Sequence, residues 1–488
     1  MKSQSDTPIF KNLKDTEKFM KEHAGVGVSF DLGFRKIIIF EREVDIFYLT
    51  GLCDTEYIIE IMEKLVEIND VERHNRSKLV SIIENRLVHQ QVRKATSMND
   101  AITQMLSGLI VIFIDGSTDA FIVDVRSYPG RSPSEPDTEK VVRGSRDGYT
   151  ENIIENTALT RRRVRDERLR HEIFQVGERS KTDICISYLK DVADPGLIDL
   201  IKHEIKQIDT DGLSMADKTV EEFIVKQGKI PFPLVRYTER PDVASAHLFE
   251  GHVLIMVDTS PSMIITPTTF FHHVQHAEEY RQTPIVGSFV RWIRYFGIFA
   301  SLFLLPLWML FVMDPTLLPA NLQYIGPQDE SNVPVIIQLI LADIGIEFLR
   351  IAAIHTPTPL STAMGLIAAV LIGQIAIDVG LFIPEVILYV SVAAIGSFST
   401  PSYELSVANK ISRLLLITIT ALFGVKGFMI GCTLYILMLT RTNSLNTPYF
   451  WPFIPFNFMA LMQILFRVSV PLSKKRPSIV HPRNDYRK

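Results

Sequence analysis

The stretch Tyr295-Phe-Gly-Ile-Phe-Ala-Ser-Leu-Phe-Leu-Leu-Pro-Leu-Trp-Met-Leu-Phe-Val-Met313 contains no charged side chain. A helix of about 20 such residues is long enough to cross the ~30 Å hydrocarbon layer of a bilayer. Two further apolar runs follow at Ser361–Phe382 and Ile411–Leu439, each with at most two charged side chains. Three such runs so close together predict a polytopic α-helical membrane domain, which we expect over residues 286–445.

The composition excludes several classes of protein. The chain has 488 residues and a formal net charge of −4, which gives no reason to expect nucleic acid as a partner. Its cysteines, Cys53, Cys185 and Cys432, are far apart and match neither a disulfide framework nor a zinc site. The polar start, Met1–Ile9, predicts no cleavable signal peptide. We therefore expect the N-terminal half to be cytoplasmic.

The N-terminal half contains one motif twice. Gly108-Leu-Ile-Val-Ile-Phe-Ile-Asp115 is an apolar strand that runs into a turn, and Gly251-His-Val-Leu-Ile-Met-Val-Asp258 repeats it with the same spacing. A short helix that begins at an aspartate precedes each copy. The repeat predicts a soluble α/β domain built from two related α/β subdomains.

These patterns divide the chain into five parts. We expect an N-terminal subdomain, a linker with an arginine-rich helix, a second subdomain, the membrane domain, and an aromatic and basic C-terminal tail. Their predicted bounds are 1–127, 128–171, 172–285, 286–445 and 446–488.

No pattern in the sequence predicts catalysis. Asp258-Thr-Ser260-Pro-Ser262 matches a Mg²⁺ site of von Willebrand A-type domains, but the downstream ligands of such a site fall where the chain enters the apolar region. The equivalent Asp115-Gly-Ser117 favours a plain turn in which the aspartate bonds nearby amides. There is also no phosphate loop and no His-Glu-x-x-His motif. We predict no metal, no cofactor and no enzymatic activity.

Arginines cluster between the two subdomains. Arg143 and Arg146 lie in a glycine-containing loop, and the following helix carries Arg161, Arg162 and Arg163. One interpretation is a solvated helix face that is neutralised by nearby carboxylates. The other is contact with anionic lipid or with a neighbouring subunit.

Ionisable residues also occur within the apolar half. Asp343, Glu347 and Arg350 fall on one stripe of a predicted helix over 335–354. Facing lipid they would be costly, so we expect either an amphipathic helix in the interface, with Glu347 paired to Arg350, or a helix lining an ion vestibule. Lys426 interrupts the last apolar run, which is either one tilted span or two short halves.

The Ser361–Phe382 run is the candidate pore helix. Gly365, Ala369 and Gly373 repeat every four residues, which allows close helix packing. Gln374 and Asp378 are also four apart and form a narrow polar strip. Either a pore or ordinary helix packing accounts for this pattern. A basic C-terminal tail predicts that both ends are cytoplasmic, with four spans and one in-plane helix.

The sequence resembles the GerA family, the A subunits of bacterial spore germinant receptors. The resemblance rests on the loop Val142-Arg-Gly-Ser-Arg-Asp-Gly-Tyr-Thr-Glu151 and on Asn156-Thr-Ala-Leu-Thr-Arg-Arg162. It continues with Tyr188-Leu-Lys190, Ile208-Asp-Thr-Asp-Gly212, Tyr237-Thr-Glu-Arg-Pro241, Pro267-Thr-Thr-Phe-Phe271, Gly287-Ser-Phe-Val-Arg291, Ile372-Gly-Gln374, Ser397-Phe398 and Pro401-Ser-Tyr403. It covers about residues 10–470.

The resemblance implies a multi-pass protein of the inner spore membrane that contributes to germination by releasing monovalent cations. The implied partners are the lipid bilayer, other germination membrane proteins and further copies of the chain in a ring, for example a pentamer. The alternatives are a membrane-anchored scaffold or signal-transducing subunit of a germinant receptor, and a secondary transporter. A transporter would need an inverted repeat, which we do not find in the sequence.

Overall fold

The computed structural model describes residues 7–71, 79–87, 92–127, 139–228, 230–328, 332–355, 365 and 370–487. The chain divides into two compact units. The first comprises Met1–Gln227, Val235–Pro267 and Val470–Lys488, and the second comprises Gly228–Leu234 and Thr268–Ser469.

The first half of the first unit is built on a five-stranded antiparallel sheet with the strand order β1-β2-β4-β5-β3. Its strands are β1 Leu32–Ile39, β2 Arg42–Leu49, β3 Val92–Lys94, β4 Ile110–Ile114 and β5 Ala120–Val123. The helices around it are α1 Leu13–Phe19, which continues into the π-helical turn Met20–Ala24, α2 Thr55–Val71, α3 Leu79–Arg86 and α4 Met98–Met105.

This first sheet is covered on both faces. Successive side chains of a strand point to opposite sides, and β2 shows the consequence. Val44 and Ile46 pack in one apolar cluster with residues of α2 and α3. Phe47 and Leu49 pack in a second cluster with residues of α1 and α4. The subdomain is thus a three-layer α/β/α sandwich.

The second half repeats this strand order. Its antiparallel sheet reads β6-β7-β9-β10-β8. The strands are β6 Leu169–Val176, β7 Thr182–Leu189, β8 Arg236–Thr238, β9 Val253–Val257 and β10 Met263–Thr266. The helices of this half are α5 Ile153–Arg163, α6 Pro195–Lys206, α7 Ala216–Val225 and α8 Pro241–Glu250.

The two copies of the sequence motif occupy equivalent places. Gly108 follows α4 and precedes β4, and Gly251 follows α8 and precedes β9. Both glycines have positive φ, 90° and 109°, a conformation that disfavours any residue with a Cβ. The prediction of an α/β N-terminal domain is confirmed, and the repeat is visible in the order of its two sheets.

The arginine-rich helix ends before the last arginines of this segment. α5 ends at Arg163. Arg168 lies before β6, which begins at Leu169, and Arg170 lies on that strand. Asp166 explains the stop, because its carboxylate accepts a hydrogen bond from the Arg168 backbone N–H at 2.8 Å and forms a turn. Residues 128–138 of the predicted linker lie outside the described residues.

The predicted C-terminal tail is divided between the two units, since 446–469 belong to the second and Val470–Lys488 to the first. Arg487 forms an ion pair with Glu250 at 2.6 Å, and the Arg483 backbone N–H donates to the Val192 carbonyl at 2.9 Å. Val480 is buried close to Gly251. The last residues of the chain therefore pack on the second subdomain.

The second unit is helical. Its helices are α9 Ala277–Arg281, α10 Pro284–Met313, α11 Val335–His355, α12 Pro384–Phe398, α13 Tyr403–Arg441 and α14 Phe458–Leu465. It also contains the 3-10 segments Phe270–His273, Pro315–Leu317 and Ala320–Ile325, the π-helical turn Leu371–Ile375, the turn Ala376–Asp378, and a two-stranded hairpin of β11 Asn443–Ser444 and β12 Thr447–Pro448.

Two of these helices, α10 and α13, are long and apolar enough to cross a membrane, with mean hydropathies of 2.3 and 2.0. α10 packs antiparallel to α12. Gly297 lies against Gly396, and the rings of Trp308 and Tyr389 are 4.9 Å apart. The two glycines bring the backbones together, since a Cβ on Gly396 would lie 2.2 Å from the Gly297 carbonyl oxygen.

α13 is two helices rather than one. Gly424 has φ 56° and ψ −137°, a conformation that is essentially restricted to glycine. Beyond it the chain folds back. The Tyr435 hydroxyl donates to the Asn409 side chain at 3.0 Å, and Gly431 packs against Leu416. Of the two alternatives for this run, the structure has the two halves, 403–423 and 425–441, packed as an antiparallel hairpin.

Replacing Gly424 by alanine should strain this turn. We expect the Gly424→Ala variant to lose about 1–3 kcal/mol of stability, measured by thermal unfolding in detergent. Gly345→Ala is the matched control, because Gly345 lies within α11 with open space around its Cβ position. That control should be neutral or slightly stabilising, since alanine favours helix. Equal effects of the two substitutions would contradict the hairpin.

Candidate functional site

The ionisable side chains of the helical unit converge on one helix pair. Asp343, Glu347 and Arg350 lie on one face of α11, opposite Lys410 and Arg413 on the first half of α13. Contacts run from Asp343 to Arg413 and from Glu347 to Lys410, so the two helices are antiparallel. We call these five residues the charge ladder.

The inner end of the ladder is fully buried. Asp343 is 1% exposed and Arg413 0%. The Arg413 guanidinium donates to both Asp343 carboxylate oxygens, through Nε at 3.1 Å and through Nη2. Its Nη1 donates to the Ser301 carbonyl of α10 at 2.6 Å. This bidentate geometry is the strongest form of such a pair, and it ties three helices together.

The outer end of the ladder is more open. Lys410 Nζ lies 2.6 Å from Glu347 Oε2 and 3.7 Å from Asp343 Oδ1. Arg350 donates to the Ser406 hydroxyl at 3.0 Å, and its guanidinium lies over the Tyr403 ring at 4.5 Å from the centroid. The predicted pairing of Glu347 with Arg350 is therefore wrong, because Glu347 pairs with Lys410, and Arg350 contacts Ser406 and Tyr403.

Lys410 and Arg413 were not predicted from the sequence as part of this site. The sequence did contain a signal for this pairing. Two bases three residues apart in a largely apolar segment can form ion pairs with two acids four residues apart on another helix. Lys426, the other base of that run, is exposed two residues past the turn at Gly424 and has no partner among the described residues. It does not belong to the ladder.

The predicted polar strip lies at the surface of the helical unit. Gly365, Gln374 and Asp378 are exposed, and Gly373 is partly buried. Ala369 lies outside the described residues. The side chains of Gln374 and Asp378 form no hydrogen bond to any described residue of the chain. Gly373 and Gln374 belong to the π-helical turn, a geometry that is frequent at functional sites.

The arginines of the first unit separate into two groups. Arg143, Arg146 and Arg162 are exposed, and Arg163 is partly buried and pairs with Asp147 at 2.6 Å. These positions are compatible with contact to lipid or to another subunit. Arg161 is not, because its side chain is 0% exposed.

Arg161 is instead the centre of a buried polar cluster. Its guanidinium donates to Asp31 Oδ2 at 3.1 Å and to the carbonyls of Asp166 and Leu169. Although burial by itself raises the pKa of the Asp31 carboxyl, the charge and the hydrogen bonds of Arg161 hold it below its usual value. Burial lowers the pKa of His171 to about 3, so its imidazole is neutral. Since Asp31 precedes β1 and His171 lies on β6, the cluster joins the two subdomains.

The Asp258 turn has a structural role. Asp258 Oδ1 accepts a hydrogen bond from the Ile153 backbone N–H at 3.2 Å, and Ser260 Oγ accepts one from Ser262 at 3.2 Å. The carboxylate thus caps the start of α5. Among the described residues, no three histidine, cysteine, aspartate or glutamate side chains are grouped as metal ligands would be.

Comparison with known proteins agrees with the resemblance of the signature loop. A family model described as Bacillus/Clostridium GerA spore germination protein matches residues 18–479. Stage V sporulation protein AF of Bacillus subtilis (strain 168) is 61% identical over 479 residues, which is 98% of this chain and 97% of that protein. Spore germination protein KA of the same organism is 28% identical and covers 97% of this chain and 86% of its own length.

A crystal structure of the N-terminal domain of the A subunit of the Bacillus megaterium spore germinant receptor GerK3 is also similar. It is 25% identical with a TM-score of 0.43, over 55% of this chain and 99% of that one. The family resemblance is confirmed by the match over residues 18–479 and by the 61% identical relative. This chain belongs to the GerA family of spore germination proteins.

Proposed function

We propose that the chain is one subunit of an oligomeric channel in the inner membrane of the spore, where it contributes to germination by releasing monovalent cations. The α/β domain lies on the cytoplasmic side, and the helical unit crosses the bilayer. The names of its relatives, which are spore germination and sporulation proteins, support this setting.

The observation that carries the proposal is the exposed polar strip. Gln374 and Asp378 are exposed on the helical unit, beside the exposed apolar side chains of Ile375 and Val379. An aspartate facing lipid near the bilayer centre costs about 2.5–3.5 kcal/mol or more, so the strip needs water or protein around it that the described residues of a single copy do not provide. Further copies arranged in a ring supply both. Glycines at 365 and 373 allow the close approach that such packing requires.

The connectivity supports a chain that enters and leaves the membrane on the same side. The tail 470–488 packs in the same unit as the N-terminal domain, so the segments between them cross an even number of times. α11 and α12 run parallel, because Gln338 bonds the Ile383 N–H at 2.9 Å at their starts and Arg350 lies over Phe398 at their ends. Two parallel helices that both cross the bilayer need a crossing in the opposite direction between them, and the described residues of the intervening segment are 365 and 370–383.

With this intervening crossing, the chain crosses the membrane six times. This count replaces the predicted four spans and one in-plane helix. They are α10, α11, the connection from α11 to α12, α12, and the two halves of α13. α10 and the first half of α13 run in one direction, and α11, α12 and the second half of α13 in the other. The charge ladder then holds α11 against α13, with Asp343 and Glu347 paired to Arg413 and Lys410 inside the subunit.

Two other functions use the same structure differently. A scaffold or a signal-transducing subunit of a germinant receptor complex needs only the α/β domain and a membrane anchor. In that function, the exposed Arg143, Arg146 and Arg162 would contact a neighbouring subunit or anionic lipid. A scaffold gives no reason for an exposed Asp378 whose side chain has no partner among the described residues. A secondary transporter is less well supported, since the sequence has no inverted repeat.

Potassium leakage from cells tests the proposal. We expect Gly373→Leu and Asp378→Asn to change K⁺ leakage relative to the parent chain at equal membrane abundance. The leucine fills the space beside the strip, and the asparagine removes the charge of the strip. Gly345→Leu is the control, since the Cβ position of Gly345 on α11 is also open. Identical leakage from the parent, both strip variants and the control would remove the pore from this segment and favour the scaffold.

A further inference from the structure

Asp45 on β2 is a carboxylic acid inside the core of the first subdomain. Its side chain is 0% exposed, and neither carboxyl oxygen has a hydrogen-bond partner among the described residues. It points to the same side of the sheet as Phe47, the side that α1 covers. Buried polar groups without partners are rare and cost free energy. Neither apolar packing nor the capping of a helix explains an aspartate at this position.

The groups that face Asp45 are mostly acidic. α1 contributes Glu17, β1 contributes its register partner Lys36, β2 contributes Glu43, and the register partner on β4 is the uncharged Phe113. Lys36 Nζ is bonded to Glu17 and to Glu43, both at 2.8 Å. Three carboxyl groups thus share one ammonium group. Burial, and then the charge of Glu17, raises the pKa of Asp45 to about 7.

The face of α1 that packs on the first sheet lies next to Asp45. Leu13 and Met20 anchor α1 in the apolar core, and Thr16 on the same buried face also has a hydroxyl without a partner among the described residues. An ionised Asp45 would place an unpaired negative charge under α1, beside Glu17. Hydration of that charge requires α1 to move away from the sheet.

We propose that Asp45 is a proton-operated latch that keeps α1 docked on the first sheet when protonated and releases α1 when ionised. This device concerns the N-terminal domain alone and goes beyond the proposed channel function. The docked state raises the affinity of Asp45 for a proton above that of an exposed aspartate. Docking is therefore most favoured at low pH and weakens as the pH rises from about 4 to about 7, after which it changes no further.

Hydrogen exchange on the purified full-length chain tests the latch. After correction for the intrinsic exchange rate, we expect the opening constant of residues 13–24 to rise by up to about tenfold per pH unit between pH 5 and pH 7. In Asp45→Asn the same segment should open to the same extent at both pH values. Asp119→Asn is the control, because Asp119 is an exposed acid of the same subdomain, and it should retain the dependence of the parent.

Two outcomes overturn the latch. The first is a parent chain in which residues 13–24 open equally at pH 5 and pH 7. The second is a pH dependence that persists in Asp45→Asn. If Asp45→Asn does not fold, Glu17→Gln takes its place, since loss of the neighbouring charge should make the opening constant level off at a lower pH. An unchanged profile in Glu17→Gln also overturns the proposal.

Discussion

Replacing Asp343 by asparagine should destabilise the helical unit by about 3–5 kcal/mol, because it leaves the Arg413 guanidinium buried without its carboxylate. Both side chains are essentially inaccessible, and Arg413 also bonds Ser301 of α10. The guanidinium cannot reach water without separating three helices. We expect the Asp343→Asn chain to unfold at a clearly lower temperature in detergent, or to accumulate poorly in membranes.

The double variant Asp343→Leu/Arg413→Leu is the decisive control. Replacing both members of a buried pair by apolar residues of similar size is often neutral or stabilising, and Lys410 keeps Glu347 as a partner. The double variant should therefore recover most of the stability that the single variant loses. A single variant as stable as the parent, or a double variant no better than the single one, would show that the pair does not hold these helices together.

Arg161→Met should have a similarly large effect in the N-terminal domain. The substitution leaves Asp31 buried and charged, and it removes the donor to the carbonyls of Asp166 and Leu169. We expect a loss of about 3–5 kcal/mol, measured as urea unfolding of the full chain followed by proteolysis of the first unit.

The adjacent arginine provides the matched comparison for that experiment. Arg162 is exposed on the same helix, and Arg162→Met should change stability by less than about 0.5 kcal/mol. Comparable losses in the two variants would mean that the buried cluster around Asp31 does not join the subdomains as described.

Local patterns in the sequence were sufficient to predict much of the fold. Gly108 and Gly251, each before an apolar strand that ends in aspartate, identified equivalent strands of two sheets. Their signal is local, because a positive φ and a run of β-branched residues depend on neighbouring residues. The apolar composition around α10 and α13 similarly indicated long helices before any packing was known.

Side-chain partners were much less predictable. Nothing near Arg161 in the sequence distinguishes it from Arg162, yet one is buried against Asp31, 130 residues away, and the other is exposed. Asp343 and Arg413 likewise meet only because α11 and α13 pack antiparallel. Such pairs depend on the tertiary arrangement, which periodicity does not encode. Two short halves were one alternative for the last apolar run, but the reversal at Gly424 depends on backbone angles that composition does not specify.

The accessibility of the polar strip to water tests the central claim most directly. In a chain with Cys53, Cys185 and Cys432 replaced by serine, single cysteines are placed at Gln374, Asp378, Ile395 and Leu415. All four positions are exposed on the isolated subunit. We predict that a membrane-impermeant thiol reagent labels the cysteines at 374 and 378, which line a wet path, but not those at 395 and 415, which face lipid. Labelling at 374 and 378 no faster than at 395 and 415 would contradict a pore along this strip.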